Sequence, residues 1–137
     1  MHCGLCHSDL SMIGNHWGVS RYPLVPGHEV IGRITAVGEG VDPGVIGEVR
    51  GLGWISGSCN HCSLCLGGDQ NLCSSLEATI VGRQGGFASH VVARQDWTIP
   101  LPTGLDPAEA GPVICGGVTV FARRVDERVS PRARVAG

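Results

Sequence analysis

The sequence predicts a mostly β domain that gives way, near residue 105, to helices and the opening of a second unit. Three observations carry this expectation. The chain's 22 glycines and 8 prolines are scattered without a period, as many short strands and tight turns require. Between them the apolar residues fall in short runs rather than in helical stripes. After Asp106 the period changes: Asp106-Pro107-Ala108-Glu109 offers an N-cap, a proline at the first helical position and an acid three residues after the cap.

The chain opens on Met1-His2-Cys3-Gly4-Leu5-Cys6-His7-Ser8-Asp9, reactive side chains with no strand predicted before them, which reads as an N-terminus that has been cut or mis-started. Cys3 and Cys6 form a C-x2-C pair, open at this point to a redox dithiol or half a zinc site. Residues 11–27 read as loop, broken by Gly14, Gly18, Pro23, Pro26 and Gly27. Val30 to Val37 alternates as a strand closed by Gly38-Glu39-Gly40, and Val41 to Gly53 gives a further strand and turn. Ala78–Gly82, Phe87–Ala93 and Trp97–Pro100 are predicted as three more short strands. Beyond Asp106, Pro112 interrupts the first helix. Ile114, Val118, Phe121 and Val125 then share one face of a second helix, a stripe read as core packing, and Ala133–Gly137 looks like the start of a strand.

Between the second and third of these groups lies the most informative stretch. Cys59, Cys62, Cys65 and Cys73 are spaced C-x2-C-x2-C-x7-C in a lobe, residues 56–76, with little apolar content. Such spacings make poor disulfides between neighbours and good tetrahedral zinc chelates. Four thiolates leave no open position, so the predicted zinc is structural and folds the loop around itself. Outside the lobe remain Cys3, Cys6 and Cys115 with six histidines, from which a second metal site could be drawn but not by spacing.

Composition excludes other classes. Net charge is −2 with a pI near 6.3, and all ten basic residues are arginine, five of them after residue 122. The lobe from Ser56 to Leu76 carries no arginine or lysine, which argues against zinc-mediated nucleic-acid binding. No apolar run approaches the ~20 residues of a membrane helix. Seven cysteines, an odd number, without a secretory leader point to a reducing, cytoplasmic setting.

Cys3-Gly4-Leu5-Cys6-His7-Ser8-Asp9, Tyr22-Pro23-Leu24-Val25-Pro26-Gly27-His28-Glu29, the four-cysteine lobe, Gly85-Gly86-Phe87-Ala88 and Cys115-Gly116-Gly117-Val118-Thr119-Val120 occur in that order. Together they resemble the zinc-dependent medium-chain alcohol dehydrogenases, nearest the cinnamyl alcohol dehydrogenase-like, NADP-preferring branch. The resemblance covers essentially the whole chain. It implies a GroES-like catalytic domain over residues 1–105, followed over 106–137 by linker helices and the first strand of a nucleotide-binding domain. The glycine loop of that domain does not occur here, so the sequence reads as an internal fragment, inactive alone and homodimeric when full length.

Residue by residue, the resemblance implies a catalytic zinc on Cys6, His28 and Cys115, giving two zinc ions per chain with the lobe. Ser8 would pass the alcohol proton outward, Asp9 would orient His28, and Glu29 would lie beside the metal. His7 would face the phosphates of NADP or NAD, and Trp17 falls in a region that lines the substrate pocket. Ser11 stands where related sequences usually carry a histidine. The implied reaction interconverts a small alcohol and its aldehyde, zinc acting as a Lewis acid on oxygen while hydride passes to a nicotinamide. The competing reading is a non-catalytic, zinc-stabilised module.

Overall fold

The computed structural model describes residues 1–126. Six short strands, three short α-helices and several 3₁₀ turns are arranged around a four-stranded antiparallel sheet and a separate two-stranded ladder. The larger sheet has the order β1 (His2–Gly4), β2 (Glu29–Arg33), β3 (Val49–Leu52), β6 (Ile99–Pro100). The ladder joins β4 (Ile55–Gly57) to β5 (Glu77–Ala78), and the lobe, with α2 (Ser63–Leu66), is the excursion between them. The β-based architecture expected from the sequence is thus present, built from strands shorter than the sequence suggests.

The core is small. Val30, Ile31 and Leu52 from the sheet, Met12 from the first helix, and Val45, Ile80 and Ala110 from the connections are all buried. Each large aliphatic side chain so buried contributes about 1.5–3 kcal/mol. Met12, at 0% exposure, anchors α1 (His7–Ile13) in the core. Among the described residues no helix is long and apolar enough to cross a membrane.

Several expectations are corrected. Part of the opening run is itself a strand: β1 pairs His2, Cys3 and Gly4 with Ile31, Val30 and Glu29. The predicted loop over 11–27 begins inside a helix, because α1 runs to Ile13. At seven residues that helix is too short to show a period, and it starts where the Asp9 carboxylate accepts the Cys6 backbone N–H at 2.9 Å. The strand expected over Val30–Val37 is confined to Glu29–Arg33, that over Ala78–Gly82 to Glu77–Ala78, and that over Trp97–Pro100 to Ile99–Pro100. Phe87–Ala93 is not a strand: a single N–H, that of Phe87 donating to the Pro26 carbonyl, ties its start to the neighbouring loop. Strand-favouring residues alone do not make a strand without a ladder partner.

No α-helix starts at Asp106 either. Residues 106–110 form turns, the Asp106 carboxylate capping Ala108 N, and a 3₁₀ segment follows over Gly111–Ile114. The second predicted helix is α3 (Gly116–Asp126), but its stripe is not core: Val118, Phe121 and Val125 are 52%, 67% and 57% exposed. Among the described residues nothing packs over it. The strand expected over 133–137 lies outside the described residues.

Candidate metal centres

Two clusters of metal-ligating side chains form, one in the lobe and one at the junction of β1, β2 and the 3₁₀ segment. The lobe brings Cys59, Cys62, Cys65 and Cys73 together, every ligand atom within 4.8 Å of the others. The Sγ atoms of Cys59 and Cys65 are 3.8 Å apart, those of Cys62 and Cys73 4.0 Å, and those of Cys73 and Cys59 3.6 Å. A tetrahedron with Zn–S bonds of about 2.3 Å has S···S edges of about 3.8 Å, whereas a disulfide needs about 2.05 Å. The donor set and its spacing therefore fit a zinc ion.

Local geometry prepares the lobe for a cation. Backbone N–H groups of His61 and Cys62 turned toward the Cys59 sulfur bring its thiol down to about 6. Ser58, whose hydroxyl lies 3.4 Å from the Cys65 sulfur, lowers Cys65 in the same way. Cys62 goes the other way: the Cys65 backbone N–H favours its thiolate, but the crowd of neighbouring sulfurs and its burial prevail and push it up to about 11. Several thiolates this close are stable together only around a positive charge. The Ser75 N–H donates to the Cys73 sulfur at 3.4 Å, and exposed His61 turns away, its Nδ1 2.7 Å from the Cys59 carbonyl.

The second cluster joins residues far apart in the chain. Cys6 ends the turn after β1, His28 immediately precedes β2, and Cys115 closes the 3₁₀ segment. Two glycines make their meeting possible. Gly27 adopts φ +100°, and a Cβ there would lie 2.8 Å from Phe87 N and 2.9 Å from the Cys3 sulfur. A Cβ on Gly111 would lie 3.0 Å from the Glu29 carbonyl, so glycine favours the close approach of the 3₁₀ segment to β2 that delivers Cys115.

The Cys115 sulfur is then 3.9 Å from the Cys6 sulfur and 3.4 Å from His28 Nε2. Edges of about 3.8 Å and about 3.6 Å are expected for sulfur and nitrogen ligands around one zinc. Glu29, buried, completes the group with Cys6, His28 and Cys115. Burial, followed by the adjacent Cys6 and Glu29, pushes the Cys115 thiol up to about 12. As in the lobe, a nearby cation would relieve that crowding.

Asp9 is the hub of this arrangement. Fully buried, it takes His28 Nδ1 at 3.1 Å and the Gly27 N–H at 2.8 Å on Oδ1, and the Cys6 N–H at 2.9 Å on Oδ2. With the ring proton on Nδ1, the lone pair of Nε2 faces the two sulfurs. One carboxylate thus holds two of the three clustered groups and the glycine between them.

The other residues singled out from the sequence are placed as follows. Ser8 is half-buried on α1 with its Oγ 3.8 Å from the Cys6 sulfur. His7 is exposed at the start of that helix, and Ser11 is buried on it. Cys3 stays outside the cluster, half-buried, with its thiol raised by burial. Trp17 is 48% exposed and meets Trp54 edge to face, the ring centroids 5.9 Å apart. Sequence reasoning missed Trp54 altogether, although its ring stands at 89° to that of His28 with centroids 5.0 Å apart. The available signal was a large aromatic set between Gly53 and the lobe.

Residues 1–103 match the family model of the alcohol dehydrogenase GroES-like domain. The chain belongs to that family. Among characterised relatives it is 54% identical over 135 residues to aldehyde reductase AdhA of Synechocystis, covering 98% of this chain and 40% of that protein. It is 41% identical over 133 residues to probable cinnamyl alcohol dehydrogenase 8A of rice, covering 92% of this chain and 37% of that one. Among solved structures, a cinnamyl alcohol dehydrogenase of Sorghum bicolor superposes with a TM-score of 0.86 at 37% identity, covering 93% of this chain and 38% of that one. The cinnamyl alcohol dehydrogenase of Helicobacter pylori complexed with NADP(H) gives 0.87 at 28% identity, covering 93% and 40%. The chain thus spans about 40% of the length of the relatives it matches.

Proposed function

We propose that this chain carries the metal-binding half of a zinc-dependent, NAD(P)-linked alcohol dehydrogenase, one that interconverts a small alcohol and its aldehyde. The observation that carries the reading is the convergence of Cys6 Sγ, His28 Nε2 and Cys115 Sγ with the Asp9 carboxylate on the far nitrogen of His28. Three protein ligands of this type leave a fourth position for a substrate oxygen. When bound there, zinc supplies Lewis-acid polarisation of that oxygen, and a nicotinamide supplies or accepts the hydride.

The chain's own residues do the rest. Asp9 holds the proton on His28 Nδ1 and so keeps Nε2 available. Ser8 Oγ, 3.8 Å from the Cys6 sulfur, takes the substrate hydroxyl proton and hands it outward. Glu29 sets the negative charge beside the ligands. Trp17 forms an apolar wall against the substrate. His7, exposed at the first turn of α1, faces the cofactor phosphates. The four lobe cysteines hold a second, structural zinc.

The NADP(H) complex of the Helicobacter pylori protein supports NADP as the cofactor. In this reading residues 1–105 are the catalytic domain, and 106–137 lead into the nucleotide-binding domain of a protein that works as a homodimer. Seven unpaired thiols suit the reducing cytoplasm.

The deciding experiment is elemental mass spectrometry of the purified, reduced chain beside Cys73→Ser and Cys115→Ser. About two zinc ions in the parent, with Cys115→Ser losing one and keeping that of the lobe, is the expected result. One zinc in the parent, unaffected by Cys115→Ser, would leave the zinc-stabilised module as the better description.

A further inference from the structure

We infer that Trp54 is a positioning residue for His28, fixing the plane of the imidazole just as Asp9 fixes its proton. The inference rests on the reading of Cys6, His28 and Cys115 as a metal site. A single hydrogen bond at Nδ1 leaves the imidazole free to rock about the bond to Asp9, which would swing Nε2 away from the two sulfurs. A second constraint, out of the ring plane, is needed to aim it.

Trp54 supplies that constraint. Its indole stands perpendicular to the imidazole, at 89° with centroids 5.0 Å apart, the favoured geometry of an edge-to-face aromatic pair. Trp17 backs it in turn at 82° and 5.9 Å. The backbone that carries the indole is itself pinned on both sides: Thr79, 1% exposed, donates its N–H to the Trp54 carbonyl at 2.8 Å and its hydroxyl to the Gly53 carbonyl at 2.6 Å. The indole therefore sits on a fixed platform between β3 and β4, against a His28 that is 0% exposed. Through this contact the segment leading into the lobe shapes the other metal site.

The test uses the whole chain and measures zinc affinity at the His28 cluster by chelator competition, with cobalt(II) absorption as a second readout. Trp54→Ala should weaken the His28-site zinc about 3- to 10-fold and shift the cobalt bands, while Trp54→Phe restores both and the lobe zinc is unchanged throughout. Equal affinity in Trp54→Ala and the parent overturns the inference, as does loss from both sites together, which marks Trp54 as a plain packing residue. A parent that binds no zinc at Cys6, His28 and Cys115 overturns the metal-site reading itself, a result distinct from either.

Discussion

Asp9→Asn is the sharpest perturbation of the His28 cluster because it changes one atom and almost no volume. The carboxylate accepts three hydrogen bonds in full burial, two on Oδ1 from Gly27 N and His28 Nδ1, and one on Oδ2 from Cys6 N. The less costly amide orientation keeps the carbonyl oxygen at the Oδ1 position and turns the NH₂ toward the Cys6 N–H. Two buried donors then face each other, and one charge-assisted bond is lost. A hydrogen bond to a charged group is worth about 1.5–3 kcal/mol, and a buried unsatisfied donor costs about 1–3 kcal/mol. The expected loss is about 3 kcal/mol from a total that is typically about 5–15 kcal/mol. With a urea m-value of about 1–3 kcal/mol/M, the unfolding midpoint of the metal-free protein should fall by about 1–3 M. In the zinc-loaded protein the His28 site should release its metal to a chelator about 10- to 100-fold more readily. If Asp9→Asn stays within about 0.5 kcal/mol of the parent and holds zinc equally well, then Asp9 is not the hub that its contacts describe.

Other consequences are as direct. Gly27→Ala places a Cβ 2.8 Å from Phe87 N at a residue with φ +100°, so it should cost at least about 3 kcal/mol in urea unfolding. On the proposed dehydrogenase reading, Ser8→Ala in the whole protein should lower turnover about 10²-fold or more while leaving zinc content unchanged; unchanged turnover would remove Ser8 from the proton path. In the lobe, Cys59 is held at about 6, so it carries a proton below that pH and none above it. Zinc must displace one more proton on the acid side, and a plot of log affinity against pH should be steeper below about pH 6 than above it. A single slope across that range would contradict the assignment.

What could be read from the sequence, and what could not, follows from the range of the forces involved. The lobe was legible because chelation by closely spaced thiols is local: all four sulfurs lie within one 15-residue stretch, Cys59 to Cys73. Cys6 and Cys115 are separated by 109 positions, and their approach depends on glycine at 111 and on the β1–β2 register, neither of which leaves a pattern. Only the resemblance singled them out. Secondary structure failed where local preference lacked a partner: Phe87–Ala93 carries aromatic and β-branched residues yet pairs with no strand, and the α3 stripe has the right period yet Val118, Phe121 and Val125 stay exposed. The helix that carries Ser8 and Asp9 escaped notice for the opposite reason, since it is fixed by tertiary contacts through Met12 and Asp9 rather than by its own propensity.

The two metal centres are expected to be coupled through the lobe's lack of any other core. Three of its four leucines face outward, Leu64, Leu66 and Leu72 at 39%, 77% and 60% exposure, and only Leu76 is half-buried, while Cys65 and Cys73 are buried. The cysteines are therefore most of the lobe's interior, and without a cation little apolar burial offsets the entropy of closing it. The lobe closes on the β4–β5 ladder, Thr79 follows that ladder by one residue, and Thr79 pins the backbone under Trp54. Cys73→Ser should then do two things: remove the lobe's zinc, and weaken the His28-site zinc without abolishing it, by a factor smaller than that of Trp54→Ala. If that site binds zinc as tightly in Cys73→Ser as in the parent, the ladder and Thr79 hold their places without the lobe's metal, and the two centres are independent.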